Sequence, residues 1–236
     1  MTNTVPATGS GAERIAMLIY PGFTALDLFG PHHMLAGLRP ARLDLVASTC
    51  APLKTDTGVT IVPAVGFDEV EEGLDILLVP GGTEGTLAAM QDAPTRAFIA
   101  RHTASAKLVA SVCTGSLILA AAGVLRGRRA TSHWLTLDIL PLFGATPVAE
   151  RVVEDGKFIT GAGVSAGLDL GLTIVQRLRG TAYAQAVQLV AEYDPQPPLA
   201  AGTPGTAPAG VVDFARGRFA DFNTRLMEAA QRLAGA

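Results

Sequence analysis

Lys107-Leu-Val-Ala-Ser-Val-Cys113-Thr-Gly-Ser-Leu-Ile-Leu-Ala-Ala-Ala122 joins an apolar, β-branched run to a helical pattern rich in Gly, Ser and Ala, and Cys113 stands where the two meet. The pattern predicts a strand, a sharp turn and a helix, the arrangement of a nucleophile elbow, whose corner side chain stands clear of the sheet. Unpaired N–H groups and the positive end of the dipole at a helix N-terminus stabilise a thiolate. We therefore expect Cys113 to be a reactive nucleophile with a lowered pKa; the alternative is a small, inert core side chain.

Apolar runs of strand length alternate with helical patterns along the rest of the chain. Arg14–Tyr20 and Asp75–Pro80 are typical of buried parallel strands, and Glu154–Gly156 predicts the turn of a hairpin. This order predicts an α/β fold with a mostly parallel sheet and helices on both faces. The other patterns indicate an edge strand at Val59–Val65 and helices that start near Gly30-Pro31 or cover Leu135–Phe143 and Val211–Leu233.

The composition is that of a soluble globular protein, with 236 residues, 49% of them hydrophobic and 17% charged. This length suits one large α/β domain. We expect a disordered tail over residues 1–13 and a single domain over residues 14–236, with a C-terminal helical extension from about residue 199.

The charge and the cysteine content exclude several classes of protein. A net charge of −3 offers no general attraction to nucleic acid or to an anionic membrane, and no apolar run approaches membrane-spanning length. Cys50 and Cys113 make neither a disulfide framework nor a metal-ligand spacing. We therefore expect a cytoplasmic protein without a metal site.

Polar and glycine residues follow three of the predicted strands. They are Asp27, Gly81-Gly82-Thr83 and Cys113-Thr114. Because the carboxyl ends of parallel strands meet at one edge of a sheet, an active site is expected there. The alternatives are that Asp27 caps the following helix and that Gly81-Gly82 merely ends a strand.

Aromatic and histidine side chains give less specific signals. His133 lies near the thiol or, as we prefer, is a structural histidine beside Trp134, because no acid partner is recognisable. Phe29, Trp134 and Val164 are candidates for the pocket wall and equally for the core. The glycines from Gly161 to Gly167 lack the spacing of a dinucleotide site, so we expect them to allow close helix packing.

Four segments together resemble the PfpI superfamily of amidotransferase-like cysteine proteins, which have a flavodoxin-like sheet. They are Val79–Thr83, Ala110–Ser116, Arg129–Trp134 and Thr160–Asp169. Within that superfamily the chain is most similar to isocyanide hydratases, which add water to an isocyanide to give an N-formamide. Leu26–Pro31, Thr114 and Glu192–Pro198 carry this closer resemblance.

The resemblance implies a catalytic role for two side chains. Cys113 would attack the isocyanide carbon to give a thioimidate, and Asp27 would act as general acid and then as general base. Thr114, Gly81, Gly82 and Thr83 would supply hydrogen-bond donors to the bound intermediate. The reaction needs no cofactor, its partner is a small-molecule substrate, and members of the superfamily are commonly homodimers.

Other activities of the superfamily are less compatible with these residues. Thr114 replaces the histidine of the peptidase-like branch, and glyoxalases or deglycases usually carry a glutamate at the position of Asp27. A ligand or redox sensor, in which Cys113 is oxidised rather than turning over, remains an alternative. Similar domains precede helix-turn-helix motifs in some transcription activators, but the chain ends at Ala236, so we expect no DNA binding.

Overall fold

A computed structural model describes residues 12–235. The strands are β1 Arg14–Leu18, β2 Arg42–Ala47, β3 Leu53–Lys54, β4 Thr60–Ile61, β5 Val65–Gly66, β6 Ile76–Val79, β7 Leu108–Val112, β8 Arg129–Ala130, β9 Thr146–Pro147, β10 Val152–Asp155 and β11 Phe158–Gly161. The α-helices are α1 Ala25–Leu35, α2 Glu84–Gln91, α3 Ala93–Ser105, α4 Gly115–Ala121, α5 Ala166–Arg179, α6 Thr181–Val190, α7 Ala209–Arg218 and α8 Ala220–Ala234.

Seven of these strands form one sheet, in the order β10-β11-β7-β6-β1-β2-β5. All neighbouring pairs are parallel except β10 and β11, which form the predicted hairpin. Every residue of β6 and β7 is buried, as their continuous apolar sequences require. The predicted fold, a mostly parallel flavodoxin-like sheet with helices around it, is confirmed.

The strand register brings three loops together at one edge of the sheet. β6 pairs with β1 on one side and with β7 on the other, so Leu77 lies opposite both Ala16 and Val109. The segments that follow these three strands carry Asp27, Gly81 and Cys113. A parallel sheet therefore gathers residues that are far apart in the sequence.

Two expected helices, each containing a proline, differ from the observed ones in where they begin or in helix type. The first helix begins at Ala25 rather than near Gly30-Pro31, and Asp27 lies in its first turn. The segment Leu137–Phe143 is a 3₁₀-helix within the predicted Leu135–Phe143, and it contains Pro141. Because proline has no N–H group, it cannot donate an α-helical hydrogen bond there.

The predicted C-terminal helix is two helices, and the predicted edge strand is two short strands. The backbone at Phe219 leaves the helical region, with φ −106° and ψ 8°, and separates α7 from α8. Pro63 lies between the short strands β4 and β5. Helix α8 buries an apolar stripe that includes Phe222 and Leu226, whereas no residue of α7 is buried.

Small residues let helices α1 and α5 approach closely beside the cysteine. A Cβ atom on Gly167 would lie 2.8 Å from Pro31 Cδ, and one on Gly171 would lie 2.7 Å from Met34 Cβ. The expectation of close helix packing at Gly167 is therefore confirmed.

The predicted disordered tail, residues 1–13, lies almost entirely outside the described part of the chain. Residues 1–11 are not described, but Glu13 is buried and forms an ion pair with Arg179. Among residues 12–235, no helix has the length and apolar character that crossing a membrane requires.

Candidate active site

Cys113 occupies the turn between β7 and α4 in a left-handed backbone conformation, with φ 58°. This conformation costs a residue with a side chain about 1–2 kcal/mol. The surrounding backbone holds it, because the Cys113 N–H donates to the carbonyl oxygens of Gly161 at 3.0 Å and Ala162 at 2.9 Å. The thiol is only 6% exposed.

Two backbone N–H groups face the thiol from different elements. One belongs to Thr114, at the N-terminus of α4, and the other to Val164, which precedes α5. Val164 also has a positive φ, 26°. Both N–H groups favour negative charge on the sulfur atom, and such donors can also stabilise the charge of a bound intermediate.

Asp27 is fully buried and interacts with Cys113. Its Oδ2 atom accepts a hydrogen bond from the Gly81 N–H at 3.0 Å, while Oδ1 is buried and has no hydrogen-bond partner within residues 12–235. Burial raises the pKa of Asp27 from 3.8 to about 7, although the Gly81 N–H and the Cys113 side chain act in the opposite direction. A carboxyl group with such a pKa can both donate and accept a proton near neutral pH.

The pKa of Cys113 is raised, not lowered as the sequence pattern predicted. Burial is the largest cause, and the negative charge of Asp27 is the second. The N–H groups of Val164 and Thr114 favour the thiolate but are outweighed. Because burial and the charge of Asp27 both disfavour the thiolate, the Cys113 thiol retains its proton at neutral pH.

Gly81 is in close contact with Asp27 and with Thr114, the residue that follows the nucleophile Cys113. A Cβ atom there would be 2.6 Å from both the N and Oγ1 atoms of Thr114 and 2.8 Å from Asp27 Oδ2. Such distances are too short for any side chain without displacing these groups. Glycine is therefore required at this position so that Thr114 and Asp27 can lie close to the backbone, and not only to end the strand in a turn.

The Thr114 hydroxyl and the Gly82 N–H bind each other rather than facing the thiol. Thr114 Oγ1 donates to the Gly82 carbonyl oxygen at 2.7 Å and accepts from the Gly82 N–H at 3.0 Å. Thr83 lies beside them at the N-terminus of α2 and is half-buried. The Val164 N–H, which acts on the thiol, comes from outside the glycine loop that was expected to supply donors to the bound intermediate.

The contacts given for the predicted His133, Trp134 and Phe29 are with residues other than Cys113 and Asp27. The His133 ring lies against Gly163, its Nδ1 accepts the Leu135 N–H at 3.3 Å, and burial lowers its pKa. The Arg216 guanidinium lies 5.2 Å from the Trp134 ring centroid. Phe29 is 42% exposed and meets His32 edge-on.

Two residues of the site, Tyr20 and Thr86, were not predicted. Val164 was predicted only as a candidate for the pocket wall. Its contribution is a backbone N–H, which every residue except proline has, so the residue type gives no signal of this role. Tyr20 ends an apolar strand pattern and Thr86 lies within a helical pattern, so neither residue stood out as functional. Each is nevertheless close in the sequence to a predicted site residue.

Comparison with known proteins gives a consistent result. Residues 13–177 match the DJ-1/PfpI family. Over 209 residues the chain is 46% identical to the isonitrile hydratase of Pseudomonas putida, covering 89% of this chain and 91% of that protein. It is 28% identical over 148 residues to a deglycase of Thermococcus kodakarensis, covering 62% of this chain and 88% of that protein.

The fold likewise matches a solved structure. A THiJ/PfpI family protein from Pseudomonas syringae superposes with a TM-score of 0.91 and 47% identity, covering 100% of this chain and 99% of that one.

Proposed function

The chain belongs to the DJ-1/PfpI family, and from that premise we propose that it is an isocyanide hydratase, which adds water to an isocyanide to give an N-formamide. The similarity to the Pseudomonas putida isonitrile hydratase supports this reaction, since it extends over most of both chains. One observation carries the chemistry: the buried Asp27 carboxyl, with its pKa of about 7, interacts with the Cys113 thiol.

The first half of the proposed reaction forms a thioimidate. Asp27 takes the proton from Cys113 as the sulfur attacks the isocyanide carbon, and then delivers that proton to the same carbon. A carbon–sulfur bond and a carbon–hydrogen bond form, while the carbon–nitrogen triple bond becomes a double bond. The N–H groups of Thr114 and Val164 support the sulfur while it carries negative charge.

The second half releases the formamide. Water attacks the thioimidate carbon, Asp27 takes a proton from that water, and the nitrogen receives this proton. The carbon–sulfur bond then breaks, and the remaining hydroxyl proton returns to the sulfur as the carbonyl forms. The net change is the addition of one water molecule, so Asp27 and Cys113 end in their initial protonation states.

We also propose that the protein is a cytoplasmic homodimer. Leu26 and Phe29 on α1 are 45% and 42% exposed, and they flank Asp27 in the sequence. Exposed apolar side chains of this kind are typical of an interaction surface. Light scattering should give the mass of a dimer at micromolar concentration, and a monomer mass would contradict this assignment.

The test of function is turnover of a simple isocyanide such as p-nitrophenyl isocyanide, followed as formamide formation. Cys113→Ala should abolish turnover, and Asp27→Asn should reduce it at least about 100-fold because an amide cannot exchange protons with sulfur and carbon. Cys50→Ala is the matched control, since Cys50 is exposed and remote in sequence from the site. Equal turnover in wild type and Cys113→Ala would overturn the proposal.

The deglycase of Thermococcus kodakarensis defines the competing activity. The same enzyme preparations should therefore be incubated with methylglyoxal-modified cysteine. Release of unmodified cysteine by the wild type, without isocyanide turnover, would replace the hydratase assignment by a deglycase one.

A further inference from the structure

A buried chain of hydroxyl groups extends from helix α2 to the residue that follows Cys113. Thr86 is fully buried, and its Oγ1 atom lies 2.8 Å from Thr114 Oγ1. On its other side, Thr86 Oγ1 is 3.3 Å from the Tyr20 hydroxyl, which donates to the Pro80 carbonyl oxygen at 2.8 Å. None of these contacts reaches the thiol or the carboxyl group directly.

The direction of each hydrogen bond follows from counting protons. Thr114 has one hydroxyl proton and donates it to the Gly82 carbonyl oxygen, which can only accept. The contact between the two threonines must then use the proton of Thr86. Thr114 Oγ1 thus donates once and accepts twice, from Thr86 and from the Gly82 N–H, which saturates it.

Saturation changes what the Thr114 side chain can do. With no lone pair or proton left, it cannot bind substrate and serves only to fix Thr114 against the loop that contains Gly81 and Gly82. The neighbouring Gly81 N–H holds Asp27, and the Thr114 N–H faces Cys113 Sγ. One cluster of hydrogen bonds therefore sets the position of the nucleophile relative to the acid.

We propose that Thr86 is a positioning residue for the reaction, whose hydroxyl locks Thr114 so that its N–H is directed at Cys113 and the Gly81 loop holds Asp27. Its consequence for catalysis rests on the proposed function, but its effect on the thiol does not. By the same count the Tyr20 proton goes to the Pro80 carbonyl oxygen at 2.8 Å, so the 3.3 Å contact with Thr86 Oγ1 is the longer branch of that donation. Because burial raises the pKa of Tyr20 well above its usual value, its phenol remains a proton donor throughout the working pH range.

Thr86→Val tests this role, because valine keeps the shape and removes the donor. In a Cys50→Ala background, the alkylation of Cys113 by iodoacetamide at pH 7 to 9 should slow by at least about threefold, since the thiolate loses a well-directed N–H. Isocyanide turnover should fall about 10- to 100-fold in kcat, with KM within about twofold, because geometry and not binding is lost. Thr86→Ser should restore both rates.

Thr103→Val is the matched control, since the Thr103 hydroxyl is buried and has no hydrogen-bond partner among residues 12–235. In this variant, Cys113 should be alkylated by iodoacetamide and the isocyanide should be turned over at the wild-type rates. If Thr86→Val does not fold, Thr86→Ala provides a second variant without the hydroxyl and has the same expected result.

Wild-type alkylation and turnover in folded Thr86→Val would overturn the proposal, as would an equal loss in Thr86→Ser or in Thr103→Val. The absence of isocyanide turnover in the wild type would overturn the proposed function instead. The alkylation rates would still decide the role of Thr86.

Discussion

Replacing Asp27 by asparagine should remove one pH-dependent contribution to the stability of the folded protein. Burial raises the pKa of Asp27 to about 7 in the folded state, against an ordinary value of 3.8. A carboxyl group with a raised folded-state pKa binds its proton more tightly when folded. The contribution of Asp27 to the free energy of unfolding therefore falls as pH rises from about 4 to about 7, and it is lost above that range.

The size of this effect follows from the two pKa values. A difference of about three pH units corresponds to about 4 kcal/mol at 1.36 kcal/mol for each unit. Asparagine removes this cost but places an NH₂ group where Oδ1 has no partner, which costs about 1–3 kcal/mol at every pH. Asp27→Asn should therefore be less stable than wild type at pH 4 and more stable at pH 8.

Urea unfolding of both proteins at several pH values from 4 to 8 measures this directly. Titration of every other group cancels in the difference between the two free energies, which should change by about 4 kcal/mol across the series. Asp138→Asn, at an exposed carboxylate, is the control and should follow the wild type. A difference between wild type and Asp27→Asn that stays constant from pH 4 to 8 would refute the reasoning.

Four further substitutions have distinct expected results. Gly81→Ala should reduce turnover at least about 100-fold, because its Cβ would displace Thr114 or Asp27; near-normal rates would contradict the close approach. Leu226→Ala should lower the free energy of unfolding by about 2–5 kcal/mol, whereas Phe214→Ser on exposed α7 should change it by less than about 0.5 kcal/mol, both measured in urea. Arg216→Ala should shift the fluorescence of Trp134, the only tryptophan, and an unchanged spectrum would show that α7 does not pack there.

The sequence pattern located the central strands β6 and β7 because their burial on both faces favours apolar side chains at nearly every position. It also brought Asp27, Gly81 and Cys113 to one edge, since parallel strands of one sheet end together. These inferences need only local composition and the direction of the chain. They do not need the distances between elements.

The errors arose where those distances decide the outcome. The helix N-terminus lowers the thiol pKa, but the burial of Cys113 and the charge of Asp27 outweigh it, and both depend on tertiary structure. The Val164 N–H acts on the thiol because the Val164 backbone adopts a positive φ, which the residue type does not predict. Likewise, the saturated Thr114 hydroxyl became evident only when Thr86 and Gly82 were located around it.

The edges of the seven-stranded sheet bear on how the protein behaves at high concentration. β5 offers only two residues at one edge, and β10 at the other carries Glu154, which forms an ion pair with Arg177, and Asp155. Short or charged edge strands are poor templates for backbone pairing with another chain. Aggregation by strand addition is therefore disfavoured, and folded copies can associate instead through side chains on their helices, where Leu26 and Phe29 are available.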